Sequence, residues 1–154
     1  MKSEHQTQGP KHRPFPWRCT QCGKEEIYPK PTDYTTVETH DGRSYVLILP
    51  DLSVPTCRYC GDQLITTKVD EQITSALRSQ IGLLTPCEIQ SLRNEHGLSS
   101  LQMAEELGVP ETLLADWEMG MRIQSRAMDD LLRHFFQSRV AGDRDLDLSL
   151  SQGR

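Results

Sequence analysis

Long apolar runs are absent from this sequence of 154 residues. No stretch approaches the roughly 18 consecutive apolar residues that mark a membrane-spanning helix. Aromatic residues make up only 6% of the chain and charged residues 25%, which is a polar composition that can still fold. The first residues lack the apolar segment of a signal peptide, so we expect a cytoplasmic protein without a membrane segment.

Groupings of residues that are typical of enzymes are also lacking. The five histidines are scattered along the chain, and none pairs with an acid at metal-binding or catalytic spacing. No phosphate-binding loop, Ser-His-Asp arrangement or carboxylate pair stands out. Because the usual criteria for an active site are not met, the sequence predicts a protein that is not an enzyme.

Positive charge is scarce in the C-terminal half. Residues 1–68 carry nine Lys or Arg against eight Asp or Glu, whereas residues 69–154 carry eight against fourteen. The phosphate backbone of DNA is negative, so an acidic half opposes strong non-specific binding to nucleic acid. Any DNA binding by this half must overcome that charge.

Four of the five cysteines form two Cys-x-x-Cys pairs, Cys19 with Cys22 and Cys57 with Cys60. In a reducing cytosol such pairs bind metal more often than they form disulfides. Four thiolates close a tetrahedron around one ion, which suits one structural Zn²⁺ per chain and leaves no position open for water or substrate. Iron remains an alternative, since a four-thiolate iron site has similar spacing. A redox pair is disfavoured because it needs only one Cys-x-x-Cys in a βαβ setting.

The fifth cysteine, Cys87, lies near a predicted helix start, and we expect it to be an ordinary small buried residue. Each knuckle continues with a glycine, Gly23 or Gly61, which lets the chain turn back so that backbone N–H groups can face the sulfurs. A domain of about 50 residues has too small a core to be stable alone, so we expect the metal to stabilise it.

Between the knuckles, Thr-, Val- and Tyr-rich runs predict short strands. Residues 33–40 and 43–49 flank Asp41-Gly42, which predicts a hairpin because both turn residues need a positive φ. A third short strand is expected over residues 52–56. These features predict a small antiparallel, zinc-ribbon-like domain over residues 17–68, after a disordered extension at residues 1–16.

The second half has helical periodicity throughout. Thr85, Pro86 and Glu88 form a predicted capping box with proline in the first helical turn. Ser99 or Ser100 can cap the next helix, and Gly108 and Gly120 can end helices. We therefore expect an α+β protein whose second domain is all-helical. A linker of residues 69–83 is predicted to contain a linker helix at 70–81. The helical domain then covers residues 84–140, with helices predicted at 86–96, 101–107, 110–119 and 125–140. A flexible tail is expected at residues 141–154.

Residues 98–124 resemble the helix-turn-helix of Xre/Cro-type domains. The resemblance rests on Leu98-Ser99, Ala104, Leu107-Gly108-Val109 and Trp117-Glu118-Met119-Gly120. In that family the second helix enters the major groove, while Ala104, Leu107, Leu114 and Trp117 correspond to core positions. The resemblance implies DNA contacts at Ser100, Glu111, Thr112, Ala115 and Asp116. Beyond the resemblance, Arg122, Arg126 and the basic residues of the N-terminus could supply phosphate contacts.

The acids of the second helix depart from that family. Basic or amide residues are common where Glu111 and Asp116 stand, and an acid facing phosphate is unfavourable by Coulomb repulsion. An acid can nevertheless accept a hydrogen bond from cytosine N4. The alternative is a helix-turn-helix fold used for dimerisation or protein binding.

The order of the two parts resembles the MqsA-type antitoxins, also described as the YgiT-type zinc-finger family. The resemblance covers most of residues 17–137. It implies a type II antitoxin whose zinc domain neutralises a toxin and whose helical domain, as a homodimer, binds a palindromic operator in double-stranded DNA and represses its own operon. The runner-up is a stand-alone zinc-ribbon regulator, or an interaction module, without a toxin partner. Met128, Leu131, Leu132, Phe135 and Phe136 form either a dimer surface or part of the core, because periodicity alone cannot separate the two.

Overall fold

A computed structural model describes residues 13–150 of the chain, with side chains described to residue 142. Its architecture is a three-stranded antiparallel sheet followed by helices, so the predicted α+β class is confirmed. The expected disorder of residues 1–12 lies outside the described residues. The elements are β1 (Trp17–Arg18), β2 (Glu25–His40), β3 (Arg43–Cys57), α1 (Thr67–Ile81), α2 (Pro86–Glu95), α3 (Ser100–Leu107), α4 (Glu111–Met119) and α5 (Arg126–Leu150).

The sheet has the strand order β1-β2-β3. Strand β1 is short and pairs with the start of β2, with Trp17 opposite Ile27. The turn between β2 and β3 consists of Asp41 and Gly42, whose φ angles are 51° and 70°. The positive φ at both positions confirms the hairpin turn that the Asp-Gly pair predicted.

Strand β3 is longer than the sequence predicted. The separate strand expected at residues 52–56 is instead the continuation of the second hairpin strand. Pro50 and Asp51 lie between the two predicted strands, and Asp51 adopts a left-handed φ of 53°. The backbone N–H of Asp51 donates to a carboxylate oxygen of Asp33 at 3.2 Å. This bond satisfies the N–H at the irregular position, and the strand continues to Cys57.

Two compact units share the hairpin. The first, here called the knuckle unit, contains the described residues up to Thr35 together with Ile48–Gln72. The second, the helical unit, contains Thr36–Leu47 and the described chain from Ile73 onward. The tip of the hairpin is therefore grouped with the helices, whereas the predicted domain boundaries placed the whole hairpin with the metal site.

Helices α2, α3 and α4 begin and end within one residue of the predicted bounds. Thr85 and Glu88 form the capping box of α2. Of the two candidate caps of α3, Ser99 is the cap, and it forms a second capping box with Gln102. Gly108 and Gly120 adopt left-handed conformations at the ends of α3 and α4, where a residue without Cβ is favoured.

The other two helices differ in length from the prediction. Helix α1 begins at Thr67 and not near Asp70, since the Thr66 hydroxyl accepts a hydrogen bond from the Val69 N–H at 3.3 Å. Helix α5 continues to Leu150, where a flexible tail had been expected from residue 141.

The main apolar cluster of the helical unit is formed by helices α2 to α5 together with Leu84, which lies two residues before α2. Its buried members are Leu84, Ile89, Met103, Ala104, Leu114, Trp117, Leu132 and Phe136.

Candidate metal centre and helix-turn-helix

The two Cys-x-x-Cys knuckles have the same backbone geometry. In the first, the Cys19 N–H donates to the Lys24 carbonyl at 2.8 Å and the Gly23 N–H donates to the Cys19 carbonyl at 2.9 Å. In the second, Cys57, Gly61 and Asp62 make the equivalent bonds at 2.8 and 2.9 Å. Both glycines have left-handed φ angles, 74° and 78°, which most side chains disfavour. The sequence predicted a role for these glycines, and the repeated turn explains it.

The knuckles bring the four sulfur atoms together. The ligand atoms of Cys19, Cys22, Cys57 and Cys60 all lie within 4.8 Å of one another. The Sγ atoms are 3.6 Å apart for Cys19 and Cys60 and 3.7 Å apart for Cys22 and Cys57. A disulfide would need about 2.05 Å, so these four residues are free thiols placed around a common centre.

The spacing of the sulfurs fits a tetrahedral metal ion. A tetrahedron with metal–sulfur bonds of about 2.3 Å has sulfur–sulfur edges of about 3.8 Å. The two measured edges of 3.6 and 3.7 Å are close to that value. The four cysteines therefore lie close enough to hold one metal ion, which confirms that the predicted residues form a single site.

Backbone N–H groups beside the sulfur atoms act to lower the pKa of two of the thiols. The N–H of Cys60, and to a lesser degree that of Tyr59, lowers the pKa of Cys57 to about 7 against the effect of burial. The Asp62 N–H lowers the pKa of Cys60, but burial and the neighbouring thiols together raise it to about 12. Thiols packed this closely resist losing their protons together unless a cation compensates, and a bound metal supplies that cation.

Basic side chains and aromatic rings flank the second knuckle. The ammonium of Lys24 lies 3.1 Å from the centroid of the Tyr59 ring, and the guanidinium of Arg58 lies 3.8 Å from that of Tyr28. These are cation–π contacts. Tyr59 remains largely exposed. The sequence alone does not indicate these pairs, although Lys24, Arg58 and Tyr59 lie within two residues of a cysteine and Tyr28 lies six residues after Cys22.

The prediction for Cys87 was wrong. Its side chain is exposed, because it occupies the outer side of the first turn of α2 while Ile89 faces the core. It takes no part in the four-cysteine cluster.

Helices α3 and α4 are joined by a turn of three residues, Gly108 to Pro110. Helix α4 packs against both α2 and α3. Ala104, Leu114 and Trp117 are buried, and Leu107 and Val109 pack against them. The four residues that the sequence assigned to the core, Ala104, Leu107, Leu114 and Trp117, therefore lie in the apolar cluster or pack against it.

The residues proposed for DNA contact have different exposures. Glu111 and Thr112 are exposed at the start of α4, while Ala115 and Asp116 are half-buried on the same helix. Ser100 is half-buried at the first position of α3. The Arg122 side chain is 68% exposed, and its guanidinium lies 3.2 Å from the Asp116 carboxylate.

A second ion pair holds α4 against α2. The Arg93 guanidinium donates two hydrogen bonds to the Glu118 carboxylate, at 2.6 and 3.0 Å, and a third to the Leu98 carbonyl at 2.9 Å. Hydrogen bonding to Glu118 raises the pKa of Arg93. The sequence indicates Glu118 only as part of the helix-turn-helix motif, and nothing in the sequence predicts its ion pair with a residue 25 positions away.

The apolar residues of α5 belong mainly to the core. Leu132 and Phe136 are buried, Met128 and Phe135 pack against the same cluster, and Leu131 is 38% exposed. Of the two interpretations offered for this helix, core packing accounts for four of these five residues.

Within residues 13–150, no helix is both long and apolar enough to cross a membrane. No protein-family model and no curated protein matches the chain.

Proposed function

We propose that this chain is a zinc-stabilised transcriptional regulator that binds operator DNA through α3 and α4 as a homodimer. The observation that carries the proposal is the short turn between α3 and α4, with the apolar side of both helices buried and the start of α4 exposed. A helix presented in this way can enter the major groove with its first residues toward the base edges.

Pairing of acidic side chains reduces the charge conflict found in the sequence. Helix α4 carries three acids, of which Glu118 is bonded to Arg93 and Asp116 lies beside Arg122. Among the described residues, only Glu111 of these three has no basic partner. One unpaired acid is compatible with groove binding, since a carboxylate can accept a hydrogen bond from cytosine.

The four-thiolate site supports zinc as the resident metal. Cys19, Cys22, Cys57 and Cys60 would hold the ion, and all four of its positions would be filled by sulfur. The ion would supply folding energy to the knuckle unit and no reaction chemistry. Metal analysis of the purified chain tests the identity, with one zinc per chain expected and stoichiometric iron as the contradicting result.

We further propose that the regulator is a type II antitoxin. The support is the order of a four-cysteine metal site and a helix-turn-helix, which resembles MqsA-type antitoxins. The knuckle unit would bind and neutralise a toxin, and the helical unit would repress the operon. The test is to look for a short toxin-like reading frame beside the gene and to co-express its product with this chain. Rescue of growth by this chain supports it, and an isolated gene leaves a stand-alone regulator.

DNA binding can be tested by anisotropy titration of the chain with its own promoter fragment and with a scrambled fragment of equal length. Specific binding should weaken steeply with salt, because phosphate contacts release counterions. Arg122→Ala should weaken binding and lower the slope of log affinity against log salt by about 1. Lys68→Ala, an exposed cation outside the helix-turn-helix, is the matched control. Absence of binding to either fragment at low salt would remove the proposal.

A further inference from the structure

The segment that follows α4 is held by residues far away in the sequence. Residues 120–125, here called the connector, lie between the end of α4 and the start of α5. The connector carries the exposed Arg122 and leads directly into Arg126. Both side chains are candidates for phosphate contacts on the proposed DNA-binding face. The position of the connector backbone therefore determines where these two guanidinium groups can lie.

The hairpin tip contacts the end of the connector. The backbone N–H of Arg126 donates to Asp41 Oδ2 at 2.7 Å, so a carboxylate from the hairpin turn caps the first residue of α5. The imidazole Nε2 of His40 lies 3.1 Å from the backbone oxygen of Gln124. Each contact joins residues about 85 positions apart in sequence, and all of these residues belong to the helical unit.

Helix α1 contacts the middle of the connector. Arg78 Nη2 donates to the backbone carbonyl of Arg122 at 3.2 Å. Arg78 is only 6% exposed, and none of the ion pairs among the described residues includes it. Its Nε has no hydrogen-bond partner within the same part of the chain. Burial lowers the pKa of Arg78.

A buried guanidinium without a carboxylate is costly. Core packing alone does not explain it, because an apolar side chain would fill the same place at lower cost. Within the described residues, the one side-chain hydrogen bond of Arg78 is to the backbone carbonyl of Arg122, which places the role of this side chain at the connector.

The connector is also fixed from inside the bundle at Gln124. The Gln124 side chain is 1% exposed, and its amide nitrogen donates to the Leu84 carbonyl at 2.7 Å and to Asp129 at 3.0 Å. The backbone N–H of Arg122 donates to the Asp116 carbonyl of α4, and the Arg122 carbonyl accepts from Arg78. The connector is therefore held both by the helical bundle and by the contacts from the hairpin tip and α1.

We propose that His40, Asp41 and Arg78 are positioning residues for DNA binding, which fix the connector so that Arg122 and Arg126 stand ready beside α4. The inference rests on the proposed function, because it assigns a task to residues around the DNA-binding face. Phosphate contacts set the register of a protein on the duplex. When the connector is not held, its backbone can move, and a phosphate contact from Arg122 or Arg126 is lost from the complex.

A matched pair of substitutions at Asp41 tests the inference. Asp41→Asn keeps a side-chain oxygen that can accept from the Arg126 N–H, and both Asn and Gly tolerate the left-handed φ of this position. Asp41→Gly removes this acceptor, together with the carboxylate that lies 3.5 Å from His40 Nε2. We expect Asp41→Gly to raise Kd for the promoter fragment about three- to tenfold and to lower the salt slope by about 1, while Asp41→Asn stays near the parent chain.

Arg78→Met provides a second, independent variant with the same expected direction. Circular dichroism and zinc content show whether each variant is folded. A folded Asp41→Gly chain with unchanged Kd and salt slope would overturn the inference. A folded variant with a raised Kd and an unchanged slope would also overturn it, because no phosphate contact would then have been lost.

Tighter binding by Asp41→Gly would overturn the inference as well, since the hairpin tip would then compete with DNA. If the parent chain itself shows no binding to the promoter fragment at low salt, the proposed function fails. A different outcome is that the parent chain binds and the variants bind with equal affinity. That result removes only the positioning role and leaves the proposed function intact.

Discussion

In the knuckle unit, the buried cluster around the metal site contains Cys19, Cys57 and a single aliphatic residue, Ile27. In the helical unit, the corresponding cluster contains eight buried residues and seven more packed against it. Apolar burial stabilises by roughly 25 cal/mol per Å², so the second cluster can support a fold by itself. The first cluster is small, and three of its six members are cysteines of the metal site. Other buried apolar residues of the knuckle unit include Leu49, Leu52, Val54 and Val69, and we expect a bound ion to supply a large part of the stability of this unit.

The largest effect should follow from breaking the metal site. Cys57 is 1% exposed and contributes one of the four sulfurs. Cys57→Ser should abolish stoichiometric metal and unfold the knuckle unit, since structural zinc supplies about 10–16 kcal/mol in small zinc domains. Amide spectra should then lose dispersion for residues 17–35 and 48–66, while the helical core keeps its signals.

Cys87→Ser is the matched control for that experiment. Its thiol is exposed and outside the cluster, so we expect a change within about 0.5 kcal/mol and unchanged metal content. If Cys57→Ser instead kept one metal ion per chain and a dispersed spectrum, the contrast between the two units would be lost.

A cavity in the helical unit should have the converse effect. Leu114 on α4 is fully buried in the apolar cluster. Leu114→Ala should lower the free energy of unfolding of this unit by about 3 kcal/mol, from lost burial and the cavity left behind. Zinc content should stay at one per chain, which calorimetry combined with metal analysis can measure.

Leu101→Ala on α3 provides the comparison, because Leu101 is 51% exposed and its loss should change stability by less than about 0.5 kcal/mol. Loss of metal in Leu114→Ala would show that the knuckle unit depends on the helical core, contrary to the comparison drawn here.

Local features of both units could be predicted from the sequence, because neighbouring residues determine them. The Cys-x-x-Cys-Gly turns, the Asp41-Gly42 turn and the Thr85 capping box each depend on contacts within five residues. The continuation of β3 through Asp51 could not be read in this way, since it depends on the carboxylate of Asp33. The same holds for Cys87, whose exposure is set by how α2 packs.

Long-range contacts at the candidate DNA-binding face were equally inaccessible. The charge of α4 looked unfavourable in sequence, yet Glu118 is paired with Arg93 from another helix. The grouping of the hairpin tip with the helices depends on Asp41 and His40 meeting the connector. No periodicity or motif encodes a contact between residues so far apart, so only the three-dimensional arrangement reveals it.

The smallest effect concerns a helix cap in the unit that has no metal. Hydrogen bonds from the backbone and hydroxyl of Thr85 hold the pKa of Glu88 below its usual 4.5, aided by nearby Arg133. A lowered folded-state pKa means that this stabilisation is complete above about pH 4.5, the unfolded value, and is lost as the pH falls through the folded value. Glutamine can keep the capping bond but carries no charge. Glu88→Gln should therefore flatten the acid limb of the stability curve of the helical unit, with the variant less stable than the parent chain at pH 7 and close to it near the acid end. Denaturant titrations of both chains between about pH 3 and pH 7, followed by the fluorescence of the buried Trp117, measure the difference. Parallel acid limbs for the two chains would mean that the Glu88 carboxylate contributes nothing to the cap.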